Sequence, residues 1–210
     1  MKKQSGFTLI ELAIVLVIIG LLLGGVLKGQ ELINSAKVKN MANDFKNIQI
    51  QIYSYQDKFR ALPGDDKAAT VNVAATADGN GNGVIEGAWN AASGEAFNFW
   101  QHIRKAGLAT GSTNTGDVNY TPKNTEGGRI GVQSNPDQTI TGLSGSYAIC
   151  SEGILGKFAK QLDVSLDDGD TATGNMMSAA LSSVNGTTGT AAILSASISD
   201  STKYTVCMAF

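Results

Sequence analysis

Few residues in this 210-residue chain stand at spacings that suit chemistry. The first group is Asp78-Gly79-Asn80-Gly81-Asn82-Gly83-Val84-Ile85-Glu86. Oxygen side chains occupy its first, third and fifth places, glycine its sixth, and a carboxylate its ninth. Side chains alternating in this way wrap one hard cation, calcium above all, with the Val84 carbonyl as a further ligand. The twelfth place, where a bidentate acid belongs, holds Trp89, so Glu86, or Glu95 from further on, must substitute. With so few carboxylates such a site is weak, and a Gly/Asn-rich turn without metal is the competing reading. The second group is a single residue, Glu11, the one charge between Phe7 and Leu27. A carboxylate inside an apolar run either snorkels to an interface or needs a partner. The third group is the pair Cys150 and Cys207, for which a disulfide, two free thiols and a metal site are all open. Asp163-Val164-Ser165-Leu166-Asp167-Asp168-Gly169-Asp170 reads as a turn, with cation binding as its alternative. His102 is the only histidine. It reads as a surface or core residue, because no second histidine or nucleophile–base pair accompanies it. With no phosphate loop or zinc spacing either, the chain reads as no enzyme.

The elements that position these residues follow from apolar periodicity. Fifteen of the 21 residues from Phe7 to Leu27 are Phe, Leu, Ile or Val. As a helix they cover roughly 31 Å, one hydrocarbon core. Their transfer is worth roughly −6 kcal/mol against about +3 for a central carboxylate, so the span survives Glu11. The run is too long for a secretory signal, and no small-residue cleavage site follows it. Gly20, Gly24, Gly25 and Gly29 provide either a close-packing face or a stretch that can unwind. Met41, Phe45, Ile48, Ile52, Tyr55 and Phe59 then recur every three or four residues, an amphipathic stripe that packs on a globular part. One helix of about 50 residues is therefore expected, ended at Leu62-Pro63-Gly64-Asp65-Asp66.

Beyond it, Ser93–Leu108 reads as a short helix capped by Ser93 and stopped by Gly107. Strands are expected at 129–133, 146–150 and 204–210, and a small helix at 154–162. Residues 171–202, rich in Ser, Thr, Ala and Gly, read as exposed loop or disorder. The fold class is α+β: a helical spine, then a head with a small antiparallel sheet and short helices. The divisions are 1–6, 7–28, 29–61 and 62–210. The net charge of −2 becomes −4 without Lys2 and Lys3, and no nucleic-acid surface is evident.

Gly6-Phe7-Thr8-Leu9-Ile10-Glu11-Leu12, behind the short basic leader Met1-Lys2-Lys3-Gln4-Ser5, resembles the type IV prepilin signature. The resemblance implies cleavage by prepilin peptidase between Gly6 and Phe7, N-methylation of Phe7, and a cytoplasmic leader. It implies that Glu11, fifth in the mature chain, pairs with the terminal amine of a neighbouring copy during assembly. A buried carboxylate facing a buried ammonium removes two uncompensated charges at once. Pilins often carry a proline near the position of Lys28, so a kink there is not expected. Cys150 and Cys207 resemble the C-terminal disulfide loop of type IV pilins, and the head would lie in an oxidising compartment. The implied function is a structural subunit of a type IV pilus-like filament, polymerised with copies of itself through an inner-membrane assembly platform. It would be held in the inner membrane before assembly and lie outside the cell after it. The alternatives are a type II secretion pseudopilin in the periplasm, or a membrane-tethered calcium-dependent adhesive module that does not polymerise. The loop at 78–86 follows the first nine places of an EF-hand-type loop, and the calcium site of major pseudopilins lies elsewhere, near the C-terminus.

Overall fold

The computed structural model describes residues 8–181 and 183–210. The processing positions Gly6 and Phe7 lie outside them. The first helix, α1, runs unbroken over Leu9–Phe59, 51 residues. By compactness the chain divides into two units after Lys39.

In the first unit α1 carries a stretch of mean hydropathy 2.8 with none of it buried. Leu9, Leu16, Leu21 and Leu27 each expose about two-thirds or more of their surface. Length and composition suit it to cross a membrane. No neighbour lies within 4 Å of where a Cβ would stand on Gly20, Gly24, Gly25 or Gly29.

The second unit begins at Asn40. Here Met41, Phe45, Ile48, Ile52 and Tyr55 are buried and Phe59 is partly so, which is the stripe read from the spacing. The helix stops earlier than the Pro-Gly signal suggests. Arg60 adopts a left-handed φ of 56° while its N–H still bonds Gln56 O at 2.8 Å. Gly64 serves the next step instead: its φ is 93°, and a Cβ there would meet the Glu95 carbonyl oxygen at 2.6 Å. After a one-turn helix α2 (Ala69–Asn72) comes α3 (Glu95–Lys105). Its N-cap is Gly94, with no side-chain cap, rather than Ser93. Phe99, Trp100 and Ile103 form its buried side.

The sheet is four-stranded and antiparallel, in the order β1-β2-β4-β3. Its strands are β1 (Ile130–Ser134), β2 (Tyr147–Leu155), β3 (Met176–Ala180) and β4 (Lys203–Ala209). Helix α4 (Gly156–Leu166) follows β2 and lies against β2, β3 and β4. Register shifts between Ser151 and Ile154, where Gly153 takes φ 73°, a bulge that only glycine enters cheaply. The strands β1, β2 and β4 fall where alternation places them.

Strand β3 overturns the reading of 171–202 as loop or disorder. Met176-Met177-Ser178-Ala179-Ala180 has no β-branched residue to signal a strand. Yet its first four residues are buried and it pairs along its length with β4. Packing against a neighbour outweighs weak local preference. The rest of that segment is also anchored, with Val184 and Ile198 buried. Thr171 is wholly buried and its hydroxyl donates to Ile193 O at 2.6 Å. Trp89, Ile140, Leu143, Ala148, Cys150, Met177, Ala179, Val184, Cys207 and Ala209 form one core cluster.

Candidate functional site

The amino-terminal end of α1 carries a reciprocal cap. Thr8 donates to Glu11 Oε2 twice, from its N–H and its hydroxyl, each at 2.8 Å. Glu11 N–H returns a bond to Thr8 Oγ1 at 3.3 Å. This is the capping box of a helix start, and Thr-x-x-Glu was its signal in the sequence. Reading Glu11 only as an intramembrane charge passed it over. Glu11 has a local task as well as any intermolecular one. Among the described residues both donors meet Oε2, which leaves Oε1 for a further donor.

The loop from Asp78 to Glu86 is built around two carboxylates from outside it. Asp65, buried on the turn after α1, accepts from three successive N–H groups. Gly81 and Asn82 donate to its Oδ1 at 2.7 and 3.1 Å, and Gly83 donates to Oδ2 at 2.7 Å. Glu95, in the first turn of α3, accepts from Asn80 N at 2.9 Å and from Glu86 N at 2.9 Å. The loop's own oxygens are engaged locally. Asp78 accepts from Thr70 N at 2.7 Å and Thr70 Oγ1 at 3.1 Å. Asn80 Oδ1 and Asn82 Oδ1 each accept from the N–H two residues on, at 2.9 Å. Asn82 Nδ2 donates to Glu86 Oε1 at 2.8 Å. The structure thus brings Asp78, Asn80, Asn82, Val84 and Glu86 into one exposed turn and adds Asp65 and Glu95. Sequence spacing named Glu95 but missed Asp65, because nothing local marks a partner so far back along the chain.

Other polar residues singled out by type hold this scaffold together. His102 is fully buried, with Nδ1 accepting from Gly64 N at 2.9 Å and Nε2 facing Ala77 O at 3.2 Å. That pattern requires the neutral Nε2–H tautomer, and burial pushes its pKa below the usual histidine value. The ring ties the Pro-Gly turn to the segment before Asp78. Tyr55 donates to Asp66 Oδ2 at 2.8 Å, while Asp66 Oδ1 accepts from Ala68 N at 2.9 Å. Arg104 is buried and donates to the carbonyls of Thr110, Ser112 and Tyr120, closing the loop after α3. Cys150 and Cys207 stand directly opposite in the β2–β4 ladder and are joined by a disulfide.

No curated protein and no solved structure matches the chain. Residues 1–27 match the family model described as the prokaryotic N-terminal methylation motif. That motif, together with the apolar helix that follows it, fits anchoring in a membrane by the N-terminal helix. On those residues the chain carries the type IV pilin and pseudopilin signature.

Proposed function

We propose that this chain is a structural subunit of a type IV pilus-like extracellular filament. Prepilin peptidase cuts after Gly6, Phe7 is methylated, and an inner-membrane platform extrudes the subunit into a polymer of copies. The observation that carries the reading is the coincidence of the methylation motif at residues 1–27 with an apolar helical stretch that is exposed throughout residues 9–27. An apolar surface of that length is satisfied by lipid before assembly and by other copies of the helix after it. The Glu11 carboxylate supplies one half of an ion pair with a neighbour's terminal amine.

The test separates the cap from the charge. Glu11→Gln keeps a side-chain oxygen for the capping box, whereas Glu11→Ala removes both. Both variants should insert in the inner membrane, and both should be missing from filaments sheared off the cell. Normal assembly of Glu11→Gln would refute the ion pair. Subunits found only in a periplasmic assembly would assign the chain to the pseudopilin class instead.

The reading extends to calcium at the loop Asp78–Glu86. Its support is Glu95, which α3 brings to the loop that has Trp89 at its twelfth place. Calorimetry of the full chain carrying Asp163→Asn, in detergent, should give a weak calcium heat that adding Glu95→Gln removes. A calcium heat that is absent from the Asp163→Asn chain, or unchanged by Glu95→Gln in it, would retire this site.

A further inference from the structure

A second group of acids, at the end of α4, lies apart from the loop at 78–86. Asp163, Asp167 and Asp168 each offer a carboxylate oxygen, and these atoms all lie within 4.8 Å of one another. Two oxygens bound at about 2.4 Å to one calcium ion stand at most about 4.8 Å apart, so the three can share an ion. Asp163 is fully buried and its carboxyl faces that of Asp168; among the described residues no donor group meets its Oδ2, while Oδ1 accepts from Gly169 N at 2.8 Å. An orphaned carboxylate oxygen in the interior is costly unless something positive meets it.

Among the described residues no positive charge acts on it. The other charges that reach Asp163 are the carboxylates of Asp167, Asp168 and Asp170. The ion pairs Lys28–Glu31, Arg60–Asp57, Arg129–Glu152 and Lys160–Asp200 lie elsewhere. The last turn of α4 has no basic residue, and the carbonyl end of a helix favours cations, not acids. The backbone nevertheless holds the acids in place. Asp167 Oδ2 accepts from Met176 N at 2.7 Å, Asp168 Oδ1 from Asp170 N at 2.9 Å, and Asp168 Oδ2 from Thr173 Oγ1 at 2.7 Å. Fixed, oxygen-only and uncompensated, the cluster has the chemistry of a hard divalent cation site.

We propose that Asp163, Asp167 and Asp168 bind a calcium ion between the end of α4 and the start of β3, with water completing its shell. The ion would meet the orphaned Asp163 oxygen and fasten the turn that leads into β3. This site is independent of the loop at 78–86.

The test is thermal unfolding of the full chain in detergent at neutral pH, with and without calcium, in a Glu95→Gln background that removes the other candidate site. Calcium at a hundredfold excess over its Kd should raise the Tm by roughly 5–10 °C. Asp163→Asn should abolish the rise. Asp168→Asn, at an exposed position whose loss does not threaten folding, should weaken calcium affinity at least about tenfold. Magnesium should be the poorer ligand, because the turn fixes these oxygens without octahedral order. Two results overturn the proposal: no calcium-dependent rise in the Glu95→Gln chain, or an equal rise in that chain and in both aspartate variants.

Discussion

Replacing Cys150 and Cys207 together by alanine removes a bond whose effect can be worked from chain topology. The cysteines are 57 residues apart, and the segment between them contains α4 and β3. Releasing a loop of that size returns about 14 cal/mol/K to the unfolded chain, about 4 kcal/mol at 25 °C. Both residues are fully buried in the core cluster, so losing two sulfur atoms adds roughly 1–2 kcal/mol. The sum is a large share of the ~5–15 kcal/mol that holds a typical domain folded. For a chain of this size it corresponds to a Tm lowered by roughly 10–20 °C. The assay is near-ultraviolet circular dichroism of the full chain in detergent during a thermal ramp, comparing wild type, wild type with reductant, and the double variant. Reduced wild type should fall most of the way to the double variant. A loss of less than about 3 °C in both would show that β4 is held by ladder and core alone, and the reasoning would fail.

Further outcomes follow from particular contacts. Phe45→Ala should cost about 3–5 kcal/mol, read as a shifted urea midpoint, because Phe45 is 1% exposed in the stripe of α1. Gly131→Ala should prevent β1 from pairing, since an added Cβ would collide with the Trp89 carbonyl; loss of native near-ultraviolet signal checks it. Burial pushes the Asp44 carboxyl up to about 6 from 3.8. Folding therefore disfavours its charge: the penalty is absent below about pH 4 and grows to full size above about pH 6. The shift sets an upper bound of about 3 kcal/mol, roughly 1–2 after allowing for solvent, so Asp44→Asn should raise the Tm at pH 7.5 but not at pH 3.5. An equal gain at both values would refute it.

How much of this was legible in the sequence depends on whether a residue's partner is near in the chain. The spine and its stripe were, because a helix repeats its face every three or four residues and α1 keeps that period from Met41 to Tyr55. Strands β1, β2 and β4 carry β-branched and aromatic residues and showed themselves. Strand β3 did not, since Met176–Ala180 becomes a strand only by pairing with β4. The loop at 78–86 was visible as a run of oxygens and glycines, but its organisation around Asp65 was not. That bond joins groups 16 to 18 residues apart with no periodicity between them. The orphaned oxygen of Asp163 depends on how tightly α4 lies against the sheet, which no spacing rule reports.

The central claim is that the apolar helix is trimmed at its start and exchanges lipid for copies of itself. Mass spectrometry of intact subunits taken from filaments sheared off the cell tests it most directly. The expected mass begins at Phe7, carries one methyl group on its amine, and retains the Cys150–Cys207 bond. A protein that keeps Met1–Gly6, recovered as single chains from the membrane and absent from any filament, would contradict it.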